Sequence, residues 1–197
     1  MWSYIYTYNM SYRLRGYRNT LYTLWIRNFI GKVGKGVSIH YPCLIQGGGQ
    51  KNISIGDNTC FQGHNVLGCW VKYFGQSFSP SITIGLECNI GEYTQITAIN
   101  KIVIGDGLLT GRFVYIGDNA HGGLSVEEAS IPPVKRRLTS KGEIVIGNNV
   151  WIGDKVTVLG GVTIGDNVIV GANSVVTKNI PSNCIVAGAP AKILKSL

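Results

Sequence analysis

The sequence predicts an all-β fold, a triangular solenoid of short parallel strands, on three observations. From Ile146 the chain repeats every six residues, and each unit opens on a branched aliphatic: Ile146, Ile152, Val158, Ile164, Val170 and Val176. No helix has that period, whereas a stack of short strands and tight turns presents one flat face per repeat. The residues between the aliphatics are largely Gly, Asp and Asn, which suit corners where positive φ is needed. The same register also runs backwards through most of the chain. Three faces close one coil, so a coil uses about eighteen residues. One coil cannot bury its own interior, so several must stack, with their strands paired in parallel. A β-sandwich with regular turns is the alternative, but it does not hold a six-residue register across several units.

In chain order, residues 1–32 are expected to form an N-terminal cap, helical or irregular, over the open end of the stack. Trp2, Tyr4, Tyr6, Tyr8, Tyr12, Tyr17, Tyr22 and Trp25 interleave there with Arg13, Arg15, Arg18 and Arg27, and no Asp or Glu precedes Asp57. Such a segment can be a plain cap, or a cap that also touches an anionic membrane surface or a polyanionic substrate. Residues 33–181 are expected to form the solenoid. Val33, Ile39 and Ile45 begin it, with a Gly-rich bulge at Gly47 to Gly49. Ile55 and Phe61 open a coil that is interrupted over residues 69–81, a stretch holding Trp70, Tyr73 and Phe74. Ile84, Ile90 and Ile96 form the next set, offset by two residues from Ile104, Thr110 and Ile116. The largest break spans about 121–143, and the repeat then resumes at Ile146. Residues 182–197 form a short C-terminal segment.

A long loop extruded from a compact array is usually functional. His121 stands at its mouth, one residue past an inward position, where it can face outward along the wall. It is either a chemical group or a loop histidine bonded to a backbone carbonyl. His40 and His64 have no comparable context and are read as structural or surface residues.

At 197 residues, one domain is expected. No apolar run reaches the roughly eighteen residues of a membrane span. The first residues lack the apolar centre and small-residue cleavage site of a secretory leader. The cysteines Cys43, Cys60, Cys69, Cys88 and Cys184 are odd in number, scattered and without a C-x-x-C pair, which argues against a disulfide framework or a zinc site. Cys43 and Cys88 fall at the fifth place of a hexad and are expected to fill core. A reducing cytoplasm is the expected compartment. The net charge of +8 is concentrated near the N-terminus. Nothing resembles a nucleic-acid recognition module, so no nucleic-acid partner is expected.

The hexads resemble those of the left-handed parallel β-helix acyltransferases. Within these, residues 116–195 resemble sugar O-acetyltransferases of the galactoside, maltose and polysaccharide-modifying type. The strings that carry this begin at Asp118-Asn-Ala-His121-Gly, Gly147-Asn-Asn-Val-Trp-Ile-Gly153, Gly161-Val-Thr-Ile-Gly165, Gly171-Ala-Asn-Ser-Val-Val-Thr-Lys178 and Ala187-Gly-Ala-Pro-Ala-Lys192. The resemblance, not the spacing, implies the left-handed coil. It also implies acetyl transfer from acetyl-coenzyme A to a hydroxyl or an amine, with no metal required. It implies a homotrimer whose active sites lie between subunits, with the extruded loop reaching over a neighbour.

The resemblance assigns roles residue by residue. His121 matches the catalytic histidine, a general base suited to the task by an unperturbed pKa near neutrality. Its other ring nitrogen would be held by Asp118, Asn119 or a backbone carbonyl; the family motif often has a second histidine where Asn119 stands. Backbone N–H groups at Gly153 or Asp154 would meet the developing oxyanion. Trp151 would pack beside the cleft or be purely structural. Glu92 and Asn100, on the preceding coil roughly one turn below His121, would bind acceptor hydroxyls or be ordinary turn residues. Gly160, Gly171 and Ala172 would let pantetheine approach, Thr177 and Lys178 match the coenzyme A stretch, and Lys178, Lys192 and Lys195 would meet its phosphates. The expected function is O-acetylation of a sugar or surface-polysaccharide precursor, in the cytoplasm or at the inner face of the membrane. The alternatives are N-acetylation of an amino sugar or nucleotide sugar, a metal hydratase built on three histidines, and a glycan-binding scaffold with no catalysis.

Overall fold

The computed structural model describes residues 2–123 and 125–196, with side chains described from Met10 onward. The chain winds through three parallel sheets. Face A holds Lys32–Val33, Ile53–Ile55, Ser81–Ile84, Lys101–Ile104, Ile144–Ile146 and Thr163–Ile164. Face B holds Ser38–Ile39, Cys60–Phe61, Asn89–Ile90, Leu109–Thr110, Trp151–Ile152, Ile169–Val170 and Cys184–Ala187, with Lys192–Ser196 added antiparallel at its end. Face C holds Cys43–Gln46, Asn65–Cys69, Gln95–Ala98, Tyr115–Gly117, Thr157–Leu159 and Val175–Val176.

The hexad openers stack on one another because the register pairs them. Ile55, Ile84, Ile104, Ile146 and Ile164 align on face A. Ile96, Ile116, Val158 and Val176 align on face C. All are essentially sealed from solvent. Full burial of one such side chain stabilises by about 1.5–3 kcal/mol, so the ladder is the main cohesive element. Cys43 and Cys88 are buried in the same core, as their hexad position suggested, and burial pushes the Cys43 thiol up to about 12.

The corner from face A to face B shows why the hexad carries Asp or Asn in third place. Each such side chain accepts a backbone N–H from the adjoining coil: Lys35 N to Asp57 Oδ1 at 2.8 Å, Leu86 N to Asp106 Oδ1 at 2.9 Å and Asp106 N to Asn148 Oδ1 at 2.9 Å. The next residue turns the chain through positive φ and is often Asn, as at Asn58, Asn149, Asn167 and Asn183.

The corner from face B to face C meets the same requirement with His64, Tyr93 and Phe113, all at positive φ. Bulky side chains are uncommon there, at a cost of roughly 1–2 kcal/mol each. Adjoining coils lie about one strand spacing apart, which brings the rings to stacking distance. His64 and Tyr93 stack at 4.7 Å and 11°, and Tyr93 and Phe113 at 4.8 Å and 7°. Stacking returns about 0.5–1.5 kcal/mol per pair.

The corner from face C to face A carries every long interruption: the Gly47 bulge, residues 70–80, and residues 118–143. Each insertion leaves the stack undisturbed, since Ile104 still pairs with Ile146 and Ile116 with Val158 across the longest one.

The N-terminal cap is a single helix, α1, over Trp2–Ile26. Among the described side chains, those of its last turns and the residues that follow reach the solenoid, through Arg18 and Asn19 at Tyr41 and through Tyr22, Thr23, Ile26 and Ile30. They satisfy the otherwise open edge of the first coil: Ile39 N donates to Thr23 Oγ1 (2.9 Å), and Tyr22 Oη donates to Cys43 O (2.7 Å). The side chains of Trp2, Tyr4, Tyr6 and Tyr8 lie outside the described residues.

Candidate active site

The two longest interruptions leave the same corner and meet above it. The extruded segment is closed at its root by an antiparallel ribbon, Ala120–His121 against Leu138–Thr139. A short helix, α2 (Val126–Ala129), sits at its tip, capped by Ser125. The earlier interruption folds as a hairpin of Lys72–Tyr73 and Gln76–Ser77. Gln76 clamps the two together, since its amide accepts from Leu138 N at 2.8 Å and donates to Leu138 O at 3.1 Å.

This docking places Tyr73 against His121. The rings meet edge to face, with centroids 5.4 Å apart at 74°. Tyr73 Oη lies 3.4 Å from His121 Nδ1 and donates its own proton to Val134 O at 2.9 Å. A phenol hydrogen committed to a carbonyl leaves only lone pairs facing the imidazole, so the contact is an Nδ1–H donating to Tyr73 Oη. That tautomer keeps the Nε2 lone pair open to receive a proton. His121 itself is exposed on the outer wall.

Asp118 does not orient His121, contrary to the sequence-based expectation. Its carboxylate is buried and accepts from Ile99 N at 2.8 Å and Asn100 N at 2.9 Å. Asn119 likewise points into the stack, donating to Thr97 O at 3.2 Å. Both residues hold the corner from which the ribbon departs. Burial raises the Asp118 pKa, opposed by the backbone N–H groups it accepts. Beneath the ribbon, a cavity of about 440 Å³ is lined by Asp118, Asn119, Thr139, Lys141, Leu159 and Gly160, among others. Glycine is required at 160, where a Cβ would stand 2.9 Å from Asp118 O.

The other expected residues divide among separate parts of the chain. Asn100, Gly160, Thr177 and Lys178 share the face C to face A corner with His121. Glu92, Gly153, Asp154, Gly171 and Ala172 lie on the face B to face C corner. Within one coil, Asp154 and Gly160 are separated by the width of a face, up to about 20 Å along the strand. Glu92 therefore does not sit below His121 in the same chain, as the sequence reading placed it. It pairs instead with Arg112 at 3.3 Å beside a cavity of about 420 Å³ that also touches Gln62, Thr110 and Asp154. Gly153 cannot supply the oxyanion donor, because its N–H already donates to Val170 O at 2.8 Å. Asp154 Oδ1 accepts from Arg112 N at 2.8 Å, and its carboxylate serves the corner. Trp151 stands half exposed on face B, where Lys192 and Lys195 also lie on the terminal strand.

His40, with its pKa lowered chiefly by burial, and His64 sit on the face B to face C corner, away from His121. Among the described residues, no three His, Cys, Asp or Glu side chains are grouped to hold a metal ion.

Parallel triangular coils, with one irregular corner that throws out a histidine-bearing ribbon, define an acyltransferase of the left-handed β-helix type. Residues 143–178 match the family described as bacterial transferase hexapeptide (six repeats), and the chain belongs to that family. It is 37% identical over 164 residues to WbbJ of Escherichia coli K12, a protein named for O-acetyl transfer in lipopolysaccharide biosynthesis, covering 80% of this chain and 77% of that one. It is 36% identical over 136 residues to the galactoside O-acetyltransferase of the same organism, covering 65% of this chain and 61% of that one. Among solved structures, a maltose O-acetyltransferase from Clostridium difficile 630 superposes with a TM-score of 0.56 at 28% identity, over 87% of this chain and 72% of that one. AntD, an N-acyltransferase from Bacillus cereus in complex with dTDP and coenzyme A, superposes with a TM-score of 0.71 over 88% of each chain. At 22% identity, that is a likeness of fold alone.

Proposed function

We propose that this chain transfers the acetyl group of acetyl-coenzyme A to a hydroxyl of a sugar or surface-polysaccharide precursor, with His121 as general base. The observation that carries the reading is the Tyr73–His121 contact, which leaves Nε2 of an exposed histidine as a proton acceptor at the root of the extruded ribbon. The acceptor oxygen attacks the acetyl carbonyl as its proton passes to Nε2. The carbon–sulfur bond then breaks, the ester forms, and the departing thiolate takes the proton back from the imidazolium. The backbone N–H of Asp154 meets the developing oxyanion.

The residues present fit coenzyme A. Gly160, Gly171 and Ala172 keep the corners low for pantetheine. Exposed Lys178, Lys192 and Lys195 offer cations to its phosphates. Thr177 and Trp151 would flank it. Because His121 and Asp154 lie on different corners of one chain, we place the reaction between subunits of a homotrimer, one subunit giving the ribbon and its neighbour the face B to face C corner. Asn100 would then meet the acceptor from the first subunit and Glu92 from the second. The relatives named for lipopolysaccharide and galactoside O-acetylation support a hydroxyl acceptor. The proposed location is the cytoplasm, at the inner face of the membrane.

The test is an acceptor panel of free sugars, amino sugars and nucleotide sugars with labelled acetyl-coenzyme A, read by mass spectrometry. Label on oxygen supports the proposal. Label found only on nitrogen replaces it with N-acetylation, and no transfer to any sugar overturns both.

A further inference from the structure

Helix α1 has two apolar faces. One faces the first coil through Thr23 and Ile26. The other is made of Met10, Leu14, Tyr17, Leu21 and Leu24, at alternating spacings of four and three residues. At about 100° per residue, this stripe lies on the side of the helix opposite Thr23 and Ile26. All five side chains are exposed, Leu14 at 60%, Tyr17 at 70% and Leu21 at 68%. The strip is longer than the part of the helix that touches the solenoid, since residues 10–17 are exposed on every side.

A seam of this spacing can take a second helix or an apolar surface. The flanking charges decide between them. Arg13 borders the stripe on one side and Arg18, which also lies over the Tyr41 ring at 5.1 Å, on the other, and no acidic residue occurs before Asp57. A second copy of this helix would bring arginine against arginine along both borders, which opposes pairing. An anionic bilayer satisfies both features at once, with its acyl region beneath the leucines and its headgroups beside the guanidiniums. Trp25 is exposed at the border of the stripe and suits the headgroup level. Among the described residues, no helix is long and apolar enough to cross a membrane, so the helix would lie along the surface.

We infer that the stripe of α1 docks the protein onto bilayers containing anionic phospholipid. This stands apart from the proposed acetyl transfer, because none of these side chains belongs to the candidate site.

The test is co-sedimentation of the full chain with vesicles of phosphatidylcholine alone or mixed with phosphatidylglycerol. The expected result is binding to the mixed vesicles only, weakened by added salt. Arg13→Gln should lower partitioning about fivefold, and Arg15→Gln, on the face turned away from the stripe, should lower it less. The pair Leu14→Ser and Leu21→Ser should lower it by an order of magnitude or more. These positions are exposed, so the thermal midpoint should hold and report that folding is intact. Failure to bind mixed vesicles overturns the inference, as does unchanged binding of the double serine variant. A change in solution mass of that variant, with vesicle binding intact, also overturns it by making the stripe a helix–helix seam.

Discussion

Tyr73→Phe removes one oxygen and keeps the ring that packs against His121. The oxygen accepts from Nδ1 at 3.4 Å, long for an N–H···O bond, so its worth falls in the lower part of the usual range, about 0.5–1 kcal/mol. If that energy orients the base during proton transfer, kcat should fall about two- to fivefold. Val134 O loses a donor at 2.9 Å, but it lies in an exposed loop where water can replace the phenol. Little stability should be lost, and KM for acetyl-coenzyme A should hold because no cofactor contact is altered. Steady-state kinetics on purified Tyr73→Phe, alongside a melting curve, reads all three. An unchanged kcat would refute the orienting role. A loss as large as that of His121→Ala would refute it from the other side, by making Tyr73 a participant in the chemistry.

Three further outcomes follow from the fold. Ile96→Ala, in the middle of the face C stack, should cost about 2–5 kcal/mol in denaturant unfolding. Cys43, with its thiol pushed up to about 12, should label with iodoacetamide at pH 8 roughly a thousandfold more slowly in the native protein than an ordinary thiol, and Cys69, at about 11, should also be slow. Fast native labelling of Cys43 would contradict its place in the core. Asp118 has its folded-state pKa raised above the unfolded value, so its contribution to stability is full below the unfolded value and is lost as pH rises through the folded one. The stability of the wild type relative to Asp118→Asn should therefore fall with rising pH above the ordinary carboxylate range. Urea titrations across that range should show this slope, and a rising difference would contradict it.

The stack was legible from the sequence because its period is local. Ile55, Phe61, Ile84, Ile90 and the later openers could be counted, and each is buried. His121 was legible as the residue at a break in the count. The partner of His121 was not legible. Tyr73 lies 48 residues earlier, and the hexad count records that the chain was interrupted twice without recording that both interruptions leave the same corner. Nearness in sequence favoured Asp118 and Asn119, but both turn inward to backbone groups of the adjoining coil. The same limit misplaced Glu92, since a six-residue period does not say which of three corners a residue occupies until the whole register is traced. The aromatic stack of His64, Tyr93 and Phe113 was missed because no sequence rule expects bulky rings at positive φ.

The central claim is that His121 takes the acceptor's proton. Transfer of labelled acetyl from acetyl-coenzyme A to the best acceptor of the panel tests it most directly, comparing wild type with His121→Ala. The expected result is a rate loss on the order of 10² or more with acetyl-coenzyme A still bound. Near-normal transfer by His121→Ala would contradict it.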